Sequence, residues 1–164
     1  MEDPAKFLLS LNEFLLDNTA GNFVTAFYGI LDLARRTMVY CNAGHNAPYI
    51  LASDDLFLLN SDKRGIPLGI LDTCGMQLYR KVYQNDEVSL KKKTKILFYT
   101  DGLTEAGNLN GGMDFEQGKL KEVLMQIKAQ KPKRFVELLY QALVEFRGSE
   151  NFEDDVCAVC LEVL

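Results

Sequence analysis

The sequence holds one histidine, four cysteines and four prolines in 164 residues, and its Lys and Arg are outnumbered 18 to 23 by Asp and Glu. With His45 the sole histidine, a zinc set of histidines and cysteines cannot be assembled. Cys157-x-x-Cys160 has no second Cys-x-x-Cys, and it lies in an apolar run, Val156 to Leu161, of strand composition. Residues three apart on a strand point to opposite faces, so the two thiols diverge. Buried, reduced cysteines are the expectation. Few prolines, no repeats and no low-complexity stretch leave no candidate linker. No run approaches the roughly 18 apolar residues of a membrane span. Met1-Glu2-Asp3-Pro4 lacks the basic and apolar regions of a signal peptide. A cytoplasmic chain with no membrane partner is therefore expected. The net charge of -5 argues against a nucleic-acid surface and against attraction to anionic lipid. The one basic run, Lys91-Lys92-Lys93 with Lys95 behind it, reads as a solvated flank guarding the apolar strand that follows.

What the chain does have is core: 48% hydrophobic residues with 10% aromatic, enough for one domain spanning residues 1–164. Asp3-Pro4 reads as a helix start, and Phe7, Leu8, Leu11, Phe14 and Leu15 share one helical face. Residues 23–33 read as a strand apolar on both faces, as in a sheet covered on both sides. Ala34-Arg35-Arg36 reverses the chain into a second strand over 37–42, an antiparallel hairpin. A loop over 43–48 precedes a short hairpin, 49–51 with 56–59, and Gly65-Ile66-Pro67-Leu68-Gly69 forms a second loop. Strands are expected over 76–83, 87–90 and 95–100, the last central. Helices follow over 116–129 and 135–146, interrupted at Pro132, and a final strand covers 156–163. The sum is α+β, a mostly antiparallel sheet with helices packed on it.

Two acidic points abut these strands. Asp101 follows the strand over 95–100, and Asp154-Asp155 precedes the strand over 156–163. If the two strands are antiparallel neighbours, both points reach one rim of the sheet. Gathered carboxylates repel one another unless a cation neutralises them. Oxygen ligands without histidine suit Mg²⁺ or Mn²⁺, and Gly102 lets backbone or water approach closely. From spacing alone, a plain Asp-Gly turn and a capped loop account for the same residues more readily than a metal site. An EF-hand over 101–112 is excluded, because Leu103 and Gly112 stand where ligands are required.

The stretches "FVTAFYGILD", "YCNAGHNAPYIL", "GIPLGIL", "ILFYTDGLTEAGN" and "DDVCAVCLEV" occur in one order along nearly the whole chain. In them the chain resembles the stage II sporulation protein E (SpoIIE) type of bacterial serine/threonine phosphatase, a branch of the metal-dependent type 2C phosphatases. The resemblance implies a β-sandwich flanked by helices, with two Mn²⁺ or Mg²⁺ ions at one end and a metal-activated water attacking phosphoserine or phosphothreonine in line. Such ions acidify water toward neutrality and stabilise charge on phosphoryl oxygens. By the same resemblance Asp101 matches the ligand of the "TDG" motif and Asp154 the ligand opening the final strand, so both carry the catalysis through the metal. Asp155 joins the metal set as their support, and Gly102 and His45 are supporting residues. His45, in the "AGH" motif, is read as stabilising its loop rather than touching substrate. Gly65, Pro67 and Gly69 look like the family's shaping loop.

The family pattern begins with a strand ending in Gly-Asp and an Asp-x-x-Gly-x-Gly stretch, and residues 1–164 contain no such stretch. Lys93-Thr94 stands where the family usually has Gly-Asp, and Asp154-Asp155-Val156-Cys157 departs from its Asp-Asp-x-Thr ending. The chain thus reads as the C-terminal portion of the domain, N-terminally incomplete, lacking the first strands and helix and about half the ligand set. The expected function is dephosphorylation of a regulatory phosphoprotein, an anti-sigma-factor antagonist, by a complete domain, with residues 1–164 inactive alone. The alternative is a non-catalytic interaction module on the same scaffold. Exposed strand edges would favour a homo-oligomer.

Overall fold

Asp3 starts the first helix as its position suggests: Oδ1 accepts the Lys6 amide at 3.2 Å, and Pro4 occupies the first turn, where a missing N–H is harmless. In this computed structural model, residues 3–16, 18–53, 55–60, 63–72, 82–109 and 111–164 are described. They form α1 (Pro4–Leu16), β1 (Ala26–Asp32), β2 (Thr37–Ala43), β3 (Tyr49–Leu51), β4 (Leu56–Leu58), β5 (Asp86–Ser89), β6 (Lys95–Tyr99) and α2 (Asp101–Thr104). A π-helical turn (Glu116–Leu120) then runs into α3 (Lys121–Ile127), followed by α4 (Pro132–Arg147) and β7 (Ala158–Glu162). Two compact units result, residues 1–47 with 60–90 and residues 48–59 with 91–164.

In the first unit the sheet order is β1-β2-β5, both pairs antiparallel. Asp32 Oδ1 accepts the amides of Ala34 and Arg35 at 3.0 and 2.8 Å, and Arg36 takes a φ of 54° to close the reversal. The strand expected over 23–33 is shorter, and it is not covered on both faces. Its residues are half-buried or exposed, its runs of apolar side chains notwithstanding, and among the described residues β1 pairs with β2 alone. The apolar face expected of α1 is likewise only partly used. Leu8 is buried with Cys41, Ala43 and Leu68, whereas Phe7 stacks on Tyr28 at 4.4 Å while half exposed and Phe14 is exposed. Asn12 takes a core position instead, its side chain holding Leu71 O and Gly69 N, each at 2.9 Å. The strand expected over 76–83 lies mostly outside the described residues, and β5 realises most of the one expected over 87–90.

The second unit carries the sheet β4-β3-β6-β7, antiparallel throughout. β6 is its inner strand, and Ile96 and Leu97 are fully buried. Tyr49 stacks on Tyr99 at 5.5 Å over a core that includes Phe115, Leu124, Phe135 and Leu139. The break expected at Pro132 is there: α3 ends at Ile127, and Pro132 opens α4 after an extended Lys131. Phe135, Leu139, Leu143 and Arg147 are buried at successive steps of four residues, one face of a helix that Gly148 ends with a left-handed φ of 81°. Lys95 is buried, satisfied by Lys128 O at the end of α3 (2.9 Å) and by Glu162 (3.2 Å). Burial pushes the Cys41 and Cys160 thiols up to about 11, but Cys157 is exposed, contrary to the expectation of buried thiols, because it shares the exposed face of the final strand with Val159 and Leu161. Among the described residues no helix is long and apolar enough to cross a membrane.

Candidate functional site

The register of β6 and β7 places the two acidic points. Their last pair is Tyr99 with Ala158, so the C-terminal end of β6 lies beside the N-terminal end of β7. Beyond that pair Thr100 continues the ladder. Its amide donates to Cys157 O at 3.1 Å, its Oγ1 donates to Asp155 O at 2.8 Å, and the same Oγ1 accepts the Cys157 amide at 2.9 Å. A side chain thereby replaces the next strand bond and ties the residue before Asp101 to the segment after Asp154.

Gly102 explains how closely the segments approach. A Cβ there would lie 2.5 Å from Asp155 O, closer than real Cβ contacts come, and a tight 3.2 Å from Asp154 O. Its backbone dihedral is ordinary for a helix, so the close approach alone demands glycine. Asp101 begins α2, its carbonyl accepting Glu105 N at 2.8 Å and Thr104 Oγ1 at 3.1 Å. Asp154 Oδ1 accepts the Asp155 amide at 2.8 Å. All three carboxylates are exposed, and none forms an ion pair with another described residue. A cleft beside them is lined by Gly102, Glu105, Ala106, Phe152, Glu153 and Asp154.

The donor chemistry fits a hard divalent cation: carboxylate oxygens, exposed, and without an ion pair among the described residues. Their number does not complete a cage. Among the described residues no group of three or more His, Cys, Asp or Glu side chains is gathered to hold a metal. Mg²⁺ is commonly held by one or two carboxylates while keeping its waters, and a pair such as Asp101 and Asp154 suits that mode.

His45 belongs to the first unit, whereas Asp101, Gly102, Asp154 and Asp155 belong to the second. Its amide donates to Asn42 Oδ1 at 2.8 Å and its carbonyl accepts Asn42 Nδ2 at 3.0 Å, while Nδ1 lies 3.1 Å from Thr25 Oγ1. Gly44 packs so tightly that a Cβ would meet Pro67 Cγ at 2.6 Å, and Arg64 donates to Gly44 O at 2.7 Å. The "NAGHN" and "GIPLG" loops therefore pack closely on one another at Gly44 and Pro67, and the main-chain bonds of His45 to Asn42 close the first loop on itself.

Thr100 is the site residue that reading the sequence missed. Its partners lie 55 and 57 positions away, so no local pattern marks it. Thr100→Val keeps the shape and leaves Asp155 O and Cys157 N without the hydroxyl. A loss of about 0.5–1.5 kcal/mol is expected, the net worth of hydrogen bonds whose partners water can reach. Denaturant titration with an unchanged slope checks it, and a midpoint equal to wild type refutes the side-chain bridge.

The family model of stage II sporulation protein E (SpoIIE) matches residues 1–164. Phosphoserine phosphatase RsbU of Bacillus subtilis (strain 168) is 24% identical over 152 residues, covering 92% of this chain and 43% of RsbU. The chain thus spans less than half the length of that curated relative. Among solved structures, the SiaA-PP2C domain of Pseudomonas aeruginosa matches with a TM-score of 0.79 at 19% identity, over 98% of this chain and 61% of that one. RsbX in complex with magnesium matches with a TM-score of 0.60 at 17% identity, over 97% of this chain and 64% of that one. At such identities these structures establish the fold alone, antiparallel sheets with helices in the type 2C phosphatase arrangement.

Proposed function

The chain belongs to the stage II sporulation protein E (SpoIIE) family, and from that premise we propose that it carries one part of the centre of a metal-dependent protein serine/threonine phosphatase. Asp101 and Asp154 hold Mn²⁺ or Mg²⁺ in this reading, with Asp155 and Gly102 supporting them. The observation that carries it is the seam at Thr100 and Gly102, which sets Asp101 against the Asp154–Asp155 backbone. Two bound ions would supply a water acidified toward neutrality and charge stabilisation on the phosphoryl oxygens. The chain's own contribution is positional. β6 and β7 fix the rim, α2 presents Asp101 at its first residue, and Thr100 locks the two segments in register. Exposure of the carboxylates leaves them open to a protein substrate. The substrate class is phosphoserine or phosphothreonine on a regulatory protein, for which an anti-sigma-factor antagonist is the candidate, and the setting is cytoplasmic.

The test is phosphate release from a phosphoserine protein with Mn²⁺ or with chelator. One arm uses residues 1–164, and the other extends the polypeptide through any in-frame coding sequence upstream of the Met1 codon. Mn²⁺-dependent turnover in the extended arm, with little in the shorter one, is expected. Robust turnover by residues 1–164 overturns the incompleteness of the site. No metal-dependent turnover in either arm overturns the phosphatase reading in favour of an interaction module. The same reading includes self-association. Among the described residues β7 pairs with β6 alone, and its Val159 and Leu161 are exposed, an edge that invites another strand. A monomer by sedimentation over a wide concentration range would refute it.

A further inference from the structure

We propose that Arg147 is a positioning residue for the Asp101–Asp154 rim, clamping the two segments that carry it; this rests on the phosphatase reading above. Arg147 is the last residue of α4 and is 6% exposed. A guanidinium so buried must satisfy its N–H donors or lose heavily in desolvation. Nε donates to Asn151 O at 2.6 Å, and Nη1 donates to Gly107 O at 3.1 Å. Nη2 reaches Glu153 Oε1 at 3.4 Å, and the group lies 5.9 Å from the centre of the Phe152 ring.

These partners come from two places that matter. Gly107 lies just beyond α2, which begins at Asp101. Asn151, Phe152 and Glu153 are the three residues before Asp154. The helix end reinforces the link, because Arg147 O accepts Leu109 N at 3.2 Å and Phe146 O accepts Asn108 Nδ2 at 2.6 Å. One rigid cation thus spans the exit of α2 and the approach to Asp154, behind the cleft that Phe152, Glu153 and Ala106 line. Glu153 is 78% exposed on its side chain, so that ion pair contributes little and the two carbonyls are the main partners. Reaching carbonyls on two segments needs the fork of arginine, which the single ammonium of lysine cannot reproduce.

The experiment compares the 164-residue chain with Arg147→Lys, Asp101→Asn and Lys95→Met variants. The readouts are Mn²⁺ titration calorimetry, thermal melting and amide hydrogen exchange without metal. Lys95→Met disturbs a buried cation of the same unit that has no part in the rim. Arg147→Lys is expected to weaken Mn²⁺ binding about tenfold, the low end of what supporting partners of metal ligands contribute. It also speeds exchange at the Asp155 and Cys157 amides, which bond to Asp154 and Thr100. Lys95→Met lowers the melting midpoint while leaving Mn²⁺ affinity and those two amides unchanged. Wild-type affinity and exchange in Arg147→Lys overturn the proposal, as does equal weakening in Lys95→Met, which would reduce it to stability. If Asp101→Asn leaves binding intact, the metal reading itself fails and the proposal with it. If Asp101→Asn abolishes binding while Arg147→Lys changes nothing, the positioning role alone fails. The exchange arm needs no metal, so it decides the clamp even where binding is too weak to titrate.

Discussion

Asp101→Asn eliminates Mn²⁺ binding to the chain and, in any longer polypeptide that completes the site, lowers kcat/KM by at least about a hundredfold. That factor is about 2.7 kcal/mol of transition-state stabilisation, a modest share of what a metal-held water and its charge neutralisation supply. An amide oxygen is a neutral donor, and the site's attraction for a dication rests on few carboxylates to begin with. Folding should hardly notice the change. Asp101 is exposed and forms no ion pair with another described residue, and surface substitutions of that kind stay within about 0.5 kcal/mol. The informative result is therefore a lost calorimetric signal at an unchanged melting midpoint. Binding that ignores the substitution would mean that Asp101 only turns the chain.

Gly102→Ala is expected to destabilise the chain by about 1–3 kcal/mol, the range for forcing atoms into filled space. The sign is what makes the measurement decisive. Gly102 sits in a helix, where replacing glycine by alanine ordinarily stabilises by about 0.5–1 kcal/mol. Here the added methyl would lie 2.5 Å from Asp155 O, and that backbone cannot retreat without breaking the bonds to Thr100. Mn²⁺ binding weakens together with stability, since α2 moves away from Asp154. Gly107→Ala is the control, because a Cβ there meets nothing within 4 Å. A neutral or stabilising Gly102→Ala would refute the close seam on which the candidate site depends.

Much of the local structure is legible in the residues. The unbroken apolar run of Ile96 to Tyr99 marks an inner strand, and Phe135, Leu139 and Leu143 mark one helical face. Both patterns arise from neighbours in the chain. Pro132 marks the break between two helices, because proline is excluded from helix interiors, and it stands where it is favoured, in the first turn of the second. The apolar side chains of β1 suggest cover on both faces, but hydrophobicity does not say what packs on each face of a strand. Phe7 and Phe14 fail for the same reason, and Asn12 succeeds in the core because it finds backbone partners.

The residues by themselves determined the family, the α+β class and the two acidic points, since motifs, periodicity and residue chemistry are properties of the chain. They left open whether Asp101 and Asp154 belong together. That juxtaposition depends on which strands are neighbours, and a pairing across more than 50 positions leaves no local trace. Only the tertiary structure decided it, through the register of β6 with β7, the hydroxyl of Thr100 and the missing Cβ of Gly102. The bridge of Arg147 across Gly107 and Asn151 belongs to the same class. A buried guanidinium is explained only by acceptors that folding brings to it.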